Sequence, residues 1–311
     1  MTDVVEPRTP EPTSAPPTSQ PSASTDAAPK APSRQGGGPW LFRLAAAWLI
    51  FIVVVTVLFA IFGDSLPLLS DPTERNADAI KQGPSRDHLF GTATFGQDVL
   101  SRVVEGGRIS LFVATVVTAI GIIVGGAMGL LAGYYRGWVD TLVRLVVNVT
   151  LSIPALLLVI FIVAVRSQSL ANVIFAVTLL AIPALARIVR ASTLQVADLE
   201  YVKAAEVLGA KRFSILVREV LPNVMPTLIS FAFLTTGIIL VAESTLSFLG
   251  LSVEAPTITW GSIISEGRIS FSETPHMVFL PALVLFLTVL SLNFVGDQLL
   301  KRYDIRETAI G

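Results

Sequence analysis

The stretch DLEYVKAAEVLGAKRFSILVREVLP, residues 198–222, is the part of the sequence around which the rest of the chain is organised. It carries eight charged residues in the 22 positions from Asp198 to Glu219. Gly209 is typical of a helix end, and Pro222 suits the first turn of a following helix. The pattern therefore predicts a helix, a glycine turn and a second short helix at about 211–219. We call residues 198–222 as a whole the 198–222 segment.

The surroundings of this segment are apolar. The chain has 311 residues, of which 52% are hydrophobic and 14% are charged, whereas soluble domains carry about 25% charged residues. Windows of at least 18 residues without Asp, Glu, Lys or Arg are long enough to cross a bilayer, and they occur at 44–63, 109–135, 145–165, 167–186, 220–242 and 274–296. These windows do not alternate apolar and polar residues as a membrane β-barrel does. The fold class predicted is an all-α polytopic membrane protein with six transmembrane helices.

The chain divides into four parts on this basis. Residues 1–38, rich in Pro, Ser, Thr and Ala, predict a disordered tail. Residues 39–108 comprise the first transmembrane helix and an external loop whose part at about 97–106 has the pattern of an interfacial helix. Residues 109–300 form the transmembrane core, and 301–311 form a C-terminal tail. Pro154 is expected to kink the third helix, which is predicted at about 141–165.

Basic residues near the helix ends predict the orientation. Short connections on one side hold only Arg166 and Arg268, whereas the other side, which includes the 198–222 segment, holds most of the Lys and Arg. We therefore expect both termini and the 198–222 segment to lie in the cytoplasm. The chain is expected to cross the inner or plasma membrane of the cell several times. The segment then has two interpretations of equal weight, a surface offered to a partner or an ordinary loop on the lipid headgroups.

The second predicted helix carries a row of glycines spaced four apart, namely Gly121, Gly125, Gly129 and Gly133. Small residues at this spacing let two helix backbones approach closely in lipid. We therefore expect this helix to pack tightly against another helix, either in this chain or in a partner.

The sequence lacks the residues of most catalytic and cofactor sites. It contains no cysteine and only two histidines, His88 and His276. The phosphate-binding GxxxxGK[ST], the zinc-protease HExxH and the hydrolase GxSxG patterns do not occur. A net charge of −1 gives no case for nucleic-acid binding. We therefore expect no catalytic, cofactor-binding or metal site, and no enzymatic activity.

The 198–222 segment resembles a known motif. Residues 203–209, KAAEVLG, followed by Leu221-Pro222, resemble the EAA loop of ABC importer permeases. Over about 40–304 the chain resembles the C-type permease subunit of dipeptide, oligopeptide and nickel importers, through GTATFGQDVLSR (91–102), RISL (108–111), GYYRGWVD (133–140), LSFLGL (246–251), Pro256 with Trp260-Gly261, and Gly296-Asp297.

This resemblance implies a function, a set of partners and a set of site residues. The chain would be the permease of an ATP-driven importer of di- or oligopeptides, forming half of the translocation path by alternating access. Its partners would be a homologous second permease, two ATP-binding subunits that hydrolyse ATP, an extracytoplasmic substrate-binding protein and membrane lipid. The segment would form the coupling helix that docks into an ATP-binding subunit through Glu200, Lys203, Ala204, Ala205, Glu206, Leu208, Gly209, Ala210 and Lys211.

Alternatives stay open at this stage. Nickel, an opine or another small solute is an alternative substrate within the same family. A secondary transporter or channel acting without an ATPase, or a non-transporting scaffold, is an alternative class of protein. Four positions depart from the family pattern, because Lys203 replaces Glu, Ala93 and Gln97 replace Asp and Arg, and Glu219 replaces His.

Overall fold

The computed structural model of the chain describes residues 39–63 and 71–308. The predicted tail at 1–38 and the end of the chain at 309–311 lie outside these residues. Within the described ranges the regular secondary structure is helical, apart from one isolated antiparallel bridge between Thr92 and Asp98 in the loop 71–98. The predicted all-α membrane fold is confirmed.

Eleven α-helices follow one another along the described residues. Two π-helical turns, Gly121–Gly125 and Leu216–Val220, each join two consecutive helices into one continuous span. The helices are α1 Pro39–Phe62, α2 Val99–Ile120, α3 Gly126–Tyr135, α4 Gly137–Ser152, α5 Ala155–Arg166, α6 Leu170–Ala197, α7 Glu200–Val207, α8 Arg212–Ile215, α9 Leu221–Phe248, α10 Trp260–Ile269 and α11 His276–Thr308.

Among residues 39–63 and 71–308, five stretches are long and apolar enough to cross a membrane, and the pair α4–α5 makes a sixth if it is counted as one bent span. The five are Trp40–Phe62, Val99–Tyr135, Leu170–Ala197, Arg212–Phe248 and His276–Arg302. Instead of the single kinked helix predicted at 141–165, α4 and α5 meet at 81°. Pro154 disfavours helical backbone at the residue before it, and Ile153 accordingly has an extended ψ of 126°.

Helix α2 begins earlier than the apolar window suggested. The region at about 97–106, predicted as a separate interfacial helix, is instead the start of the helix that continues into the membrane. Asp98 caps it, because its carboxylate accepts a hydrogen bond from the Ser101 amide at 2.8 Å. Residue 109, where the core was predicted to begin, therefore lies inside α2.

The glycine row, which lies on the π turn and α3, faces α6. A Cβ atom on Gly129 would lie 2.6 Å from the Ala186 carbonyl oxygen, and one on Gly133 would lie 2.7 Å from the Thr193 Cβ. Gly121 likewise approaches Leu185 and Ala181, and Gly125 approaches the Ile182 carbonyl. The backbones of the two spans are therefore in direct contact over three turns, as small residues allow in lipid.

Chain direction assigns the connections to two ends of the bundle. The α7 end holds the connection 198–211 and the turn at Arg136. The α10 end holds the loop 71–98, helix α10 and the start of α11, since Lys81 pairs with Glu273 at 2.6 Å and His276 contacts the Thr92 carbonyl at 3.1 Å. The two ends are joined by α2 and α3, which form a span of 37 residues.

Candidate functional site

The 198–222 segment is anchored to the bundle by apolar side chains. Val202 of α7 is buried, as are Ile215 and Leu216 at the start of the next helix. They form a cluster with Val189 and Val196 of α6. Buried area of this kind stabilises by about 25 cal/mol per Å², so the segment is held against α6 and α9 as a part of the bundle.

The turn between α7 and α8 has a defined glycine cap. Gly209 has a φ of +80°, which a residue with a Cβ rarely adopts. Its amide donates to the Glu206 carbonyl at 3.0 Å, and the Ala210 amide donates to the Ala205 carbonyl at 3.1 Å. These two bonds are the Schellman pattern of a helix C-terminus, so the predicted helix, glycine turn and helix are all present.

The helix after the turn is continuous with the membrane span. Helix α8 passes through the π turn Leu216–Val220 into α9, and Arg212–Phe248 is one 37-residue helix. The short separate helix predicted at 211–219 is therefore the first part of α9's span. Pro222 has no amide proton and crowds the preceding turn, and the π turn directly before it is where the regular bonding pattern is interrupted.

The tip of the segment is apolar and exposed. Val207 and Leu208 are 88% and 86% exposed, and Phe213 after the turn is 68% exposed. The anchored helical turn therefore exposes three large apolar side chains within seven residues of the chain, and we call these three residues the apolar tip. Exposed apolar groups that cluster in this way mark interaction surfaces.

The residues predicted from the motif lie on this same projection. All are exposed except Ala205, which is half-buried and packs against the anchoring cluster. The exposed ones are Glu200, Lys203, Ala204, Glu206, Leu208, Gly209, Ala210 and Lys211. A Cβ on Gly209 would meet no atom within 4 Å, so its role in the chain is the turn rather than close packing.

Two charged members also face the bundle. Lys203 and Glu206 line a polar cleft of about 300 Å³ between α7 and the end of α3, together with Tyr134 and Arg212. The Tyr134 hydroxyl donates to Glu206 at 3.4 Å, and Arg136 pairs with Asp198 at 2.8 Å. These charges therefore connect the segment to α3 besides facing outward.

Sequence reasoning missed Val207 and Phe213 as surface residues. Leu199, Val202 and Leu208 recur along the sequence as apolar residues of this helix, but of the three only Val202 is buried. Positions 202 and 208 are six residues apart, which is well away from a whole number of helical turns. Counting the period from Val202 alone would have placed Leu208 on the outer side.

Comparison with known proteins shows the family to which this chain belongs. Residues 121–307 match the family described as "Binding-protein-dependent transport system inner membrane component". The chain is 33% identical over 279 residues to the glutathione transport system permease protein GsiD of Pectobacterium atrosepticum, covering 90% of this chain and 93% of that protein. It is 38% identical over 260 residues to GsiD of Shigella boydii, covering 84% of each.

The fold also matches solved structures. In a structure of the inward-facing MetNI methionine ABC transporter, one chain superimposes with a TM-score of 0.56 at 22% identity, covering 65% of this chain and 96% of that one. A second crystal form gives a TM-score of 0.57. The protein belongs to the family of inner membrane components of binding-protein-dependent transport systems, and it is a multi-pass permease subunit of an ABC importer.

Proposed function

We propose that this permease carries small peptides or peptide-like molecules and that the 198–222 segment is its docking element for an ATP-hydrolysing subunit. ATP hydrolysis in such importers belongs to separate subunits. The chain therefore has to receive the motion of a partner and pass it to its membrane helices.

The observation that carries this proposal is the apolar tip on an anchored helical turn. Val207, Leu208 and Phe213 are exposed, whereas Val202 and Ile215 of the same segment are buried. An apolar tip can bury its side chains in a cleft of the partner. A base that is packed against α6 and α9 can transmit the partner's motion as a rigid body. Because α8 is continuous with α9, displacement of the tip moves the start of a membrane span.

The substrate class follows from the relatives. The GsiD proteins are named as permeases of glutathione transport systems, and glutathione is a small peptide. We also propose that a homologous second permease completes the translocation path. The substrate-binding protein docks at the α10 end of the bundle.

The proposed function is tested by reconstituting the chain into liposomes with the sister permease, the ATPase subunits and the binding protein of the same system. We expect uptake of a labelled dipeptide or of glutathione that requires ATP, the ATPase subunits and the binding protein together. Uptake by the permeases alone would instead indicate a channel or secondary transporter. ATP-driven uptake of nickel but of no peptide would contradict the substrate class.

The proposed orientation predicts which engineered cysteines can be labelled from outside the cell. The chain contains no natural cysteine, so single cysteines report their own surroundings. Asp87→Cys, in the exposed loop of the α10 end, is expected to react with a membrane-impermeant maleimide on intact cells. Ala204→Cys, exposed at the α7 end, is expected to react only after permeabilisation. Labelling in the opposite order would place the 198–222 segment outside the cytoplasm.

A further inference from the structure

A second surface feature lies at the opposite end of the bundle from the apolar tip. A cavity of about 420 Å³ opens between the loop 71–98, the connection 253–258 and helix α10. Cavities of this size hold a small molecule or a few side chains of a partner. Its titratable lining residues are Arg75, Arg102 and Glu266, so the described lining carries one more positive than negative charge.

An ion pair between Arg102 and Glu266 forms one part of the cavity lining. Arg102 is 6% exposed and donates to both carboxylate oxygens of Glu266, at 2.6 and 3.2 Å. Its third nitrogen, Nε, is buried without a hydrogen-bond partner among the described residues. The Gln97 side chain lies 3.5 Å from the same guanidinium. The bidentate pair with Glu266 balances the charge of Arg102, so the positive charge left over in the described lining is that of Arg75.

The rim of the cavity combines an exposed arginine with an exposed aromatic ring. Arg75 lies over the ring of Phe95, 5.0 Å from its centroid, and Phe95 is 51% exposed. Arg75 is exposed and has no ion-pair partner among the described residues. Arginine and aromatic side chains are enriched at protein interfaces, where they carry much of the binding energy.

The walls behind the cavity form one tightly packed block. The buried Glu243 of α9 accepts hydrogen bonds from Ser110 of α2 at 2.9 Å and from Ser252 at 3.4 Å. Trp260 at the start of α10 donates through its indole to the Val103 carbonyl at 2.8 Å, and a Cβ on Gly261 would lie 2.7 Å from Ser247 Cβ. A pre-formed site on a packed block loses little entropy when a partner binds.

We propose that this cavity receives an acidic side chain of the substrate-binding protein, with an apolar neighbour of that side chain packing on Phe95. The inference rests on the proposed function, which places a binding protein at the α10 end. Charge complementarity selects an acidic group, since Arg75 is the charged lining residue that has no ion-pair partner within the described part of the chain. Arg102 lies in the first turn of the span Val99–Tyr135, so docking here contacts the same helix that reaches the 198–222 segment at its other end.

The test measures how much binding protein is needed for half-maximal ATP-driven uptake by the reconstituted importer, using the purified binding protein of the same system loaded with a labelled peptide. Arg75→Glu and Phe95→Ala change exposed rim residues and leave the buried pair intact. We expect each to raise that concentration about tenfold or more. Peptide binding by the isolated binding protein and basal ATPase activity are expected to stay unchanged.

Two matched controls lie on the same loop outside the cavity. Arg86→Glu makes the same charge change, and Leu89→Ala removes an apolar side chain that is 51% exposed, as Phe95 is. Both controls are expected to leave the half-maximal concentration unchanged. Unchanged values for all four variants, or equal losses in all four, would overturn this inference while leaving the proposed function standing. Failure of the wild-type complex to show ATP-driven uptake would overturn the proposed function and this inference with it.

Discussion

Replacing Leu208 with aspartate is expected to abolish assembly of the permease with its ATPase subunit. The leucine is 86% exposed at the apolar tip, and a carboxylate there would have to enter an apolar cleft without a partner. Truncation of a central interface residue costs at least about 2 kcal/mol, and a buried charge adds to that cost. We expect the affinity for the ATPase subunit to fall about a hundredfold or more, measured by titration of the detergent-solubilised permeases, with ATP-driven uptake lost in parallel.

The control for this prediction is Ile269→Asp. Ile269 is also 86% exposed, but it ends α10 at the opposite end of the bundle. The two variants make equivalent changes in charge and exposure, so a general effect on folding or on the detergent micelle would appear in both. If Leu208→Asp bound the ATPase subunit as the wild type does, the docking role of the tip would be wrong.

Gly129→Ala is expected to destabilise the transmembrane bundle. The added methyl group would lie 2.6 Å from the Ala186 carbonyl oxygen and 2.7 Å from the Val189 Cβ, so the backbones of α3 and α6 would have to separate. Overpacking of this kind costs about 1–3 kcal/mol. Helix propensity alone would favour alanine by roughly 1 kcal/mol. We expect a lower thermal midpoint in detergent and reduced amounts of folded protein in the membrane.

Gly126→Ala is the matched control three residues earlier on the same helix. A Cβ at Gly126 would meet only Leu228 Cδ2, at 3.8 Å, which is an ordinary contact. This variant is expected to keep or slightly raise the thermal midpoint. Equal midpoints for the two variants would show that close contact at Gly129 contributes nothing to stability.

The glycine row illustrates what sequence alone predicts well. Four small residues at a spacing of four define one face of a helix, whatever the helix packs against. The sequence left open whether that face meets this chain or another, because periodicity carries no information about the partner. The structure places α6 of the same chain there.

The break at Pro154 shows where sequence is less informative. A proline in an apolar run predicts a disturbance, but its size depends on the neighbouring helices that can satisfy the freed carbonyls. The structure bends the pair α4–α5 by 81°, which no local rule specifies. The early start of α2 at Val99 has a similar cause, because burial of Val99 and Val103 by distant elements overrides a polar local sequence.

The 198–222 segment was identified from its motif more fully than from its periodicity. Gly209 and the two flanking helices followed from local rules, because a left-handed glycine turn needs no tertiary contact. The exposure of Val207 and Phe213 did not follow, since apolar residues next to a buried valine are ordinarily assigned to the core. The cavity at Arg75 and Arg102 was also out of reach, because it joins residues that are more than 150 positions apart in the sequence.

The most direct measurement of the central claim is photo-crosslinking from position 208. A benzophenone amino acid in place of Leu208, in the complex assembled with its ATPase subunits, would report which molecule surrounds the apolar tip. We expect a crosslink to the ATPase subunit from position 208 and none from position 269. An assembled, ATP-hydrolysing complex in which position 208 crosslinks only to lipid or not at all would contradict it.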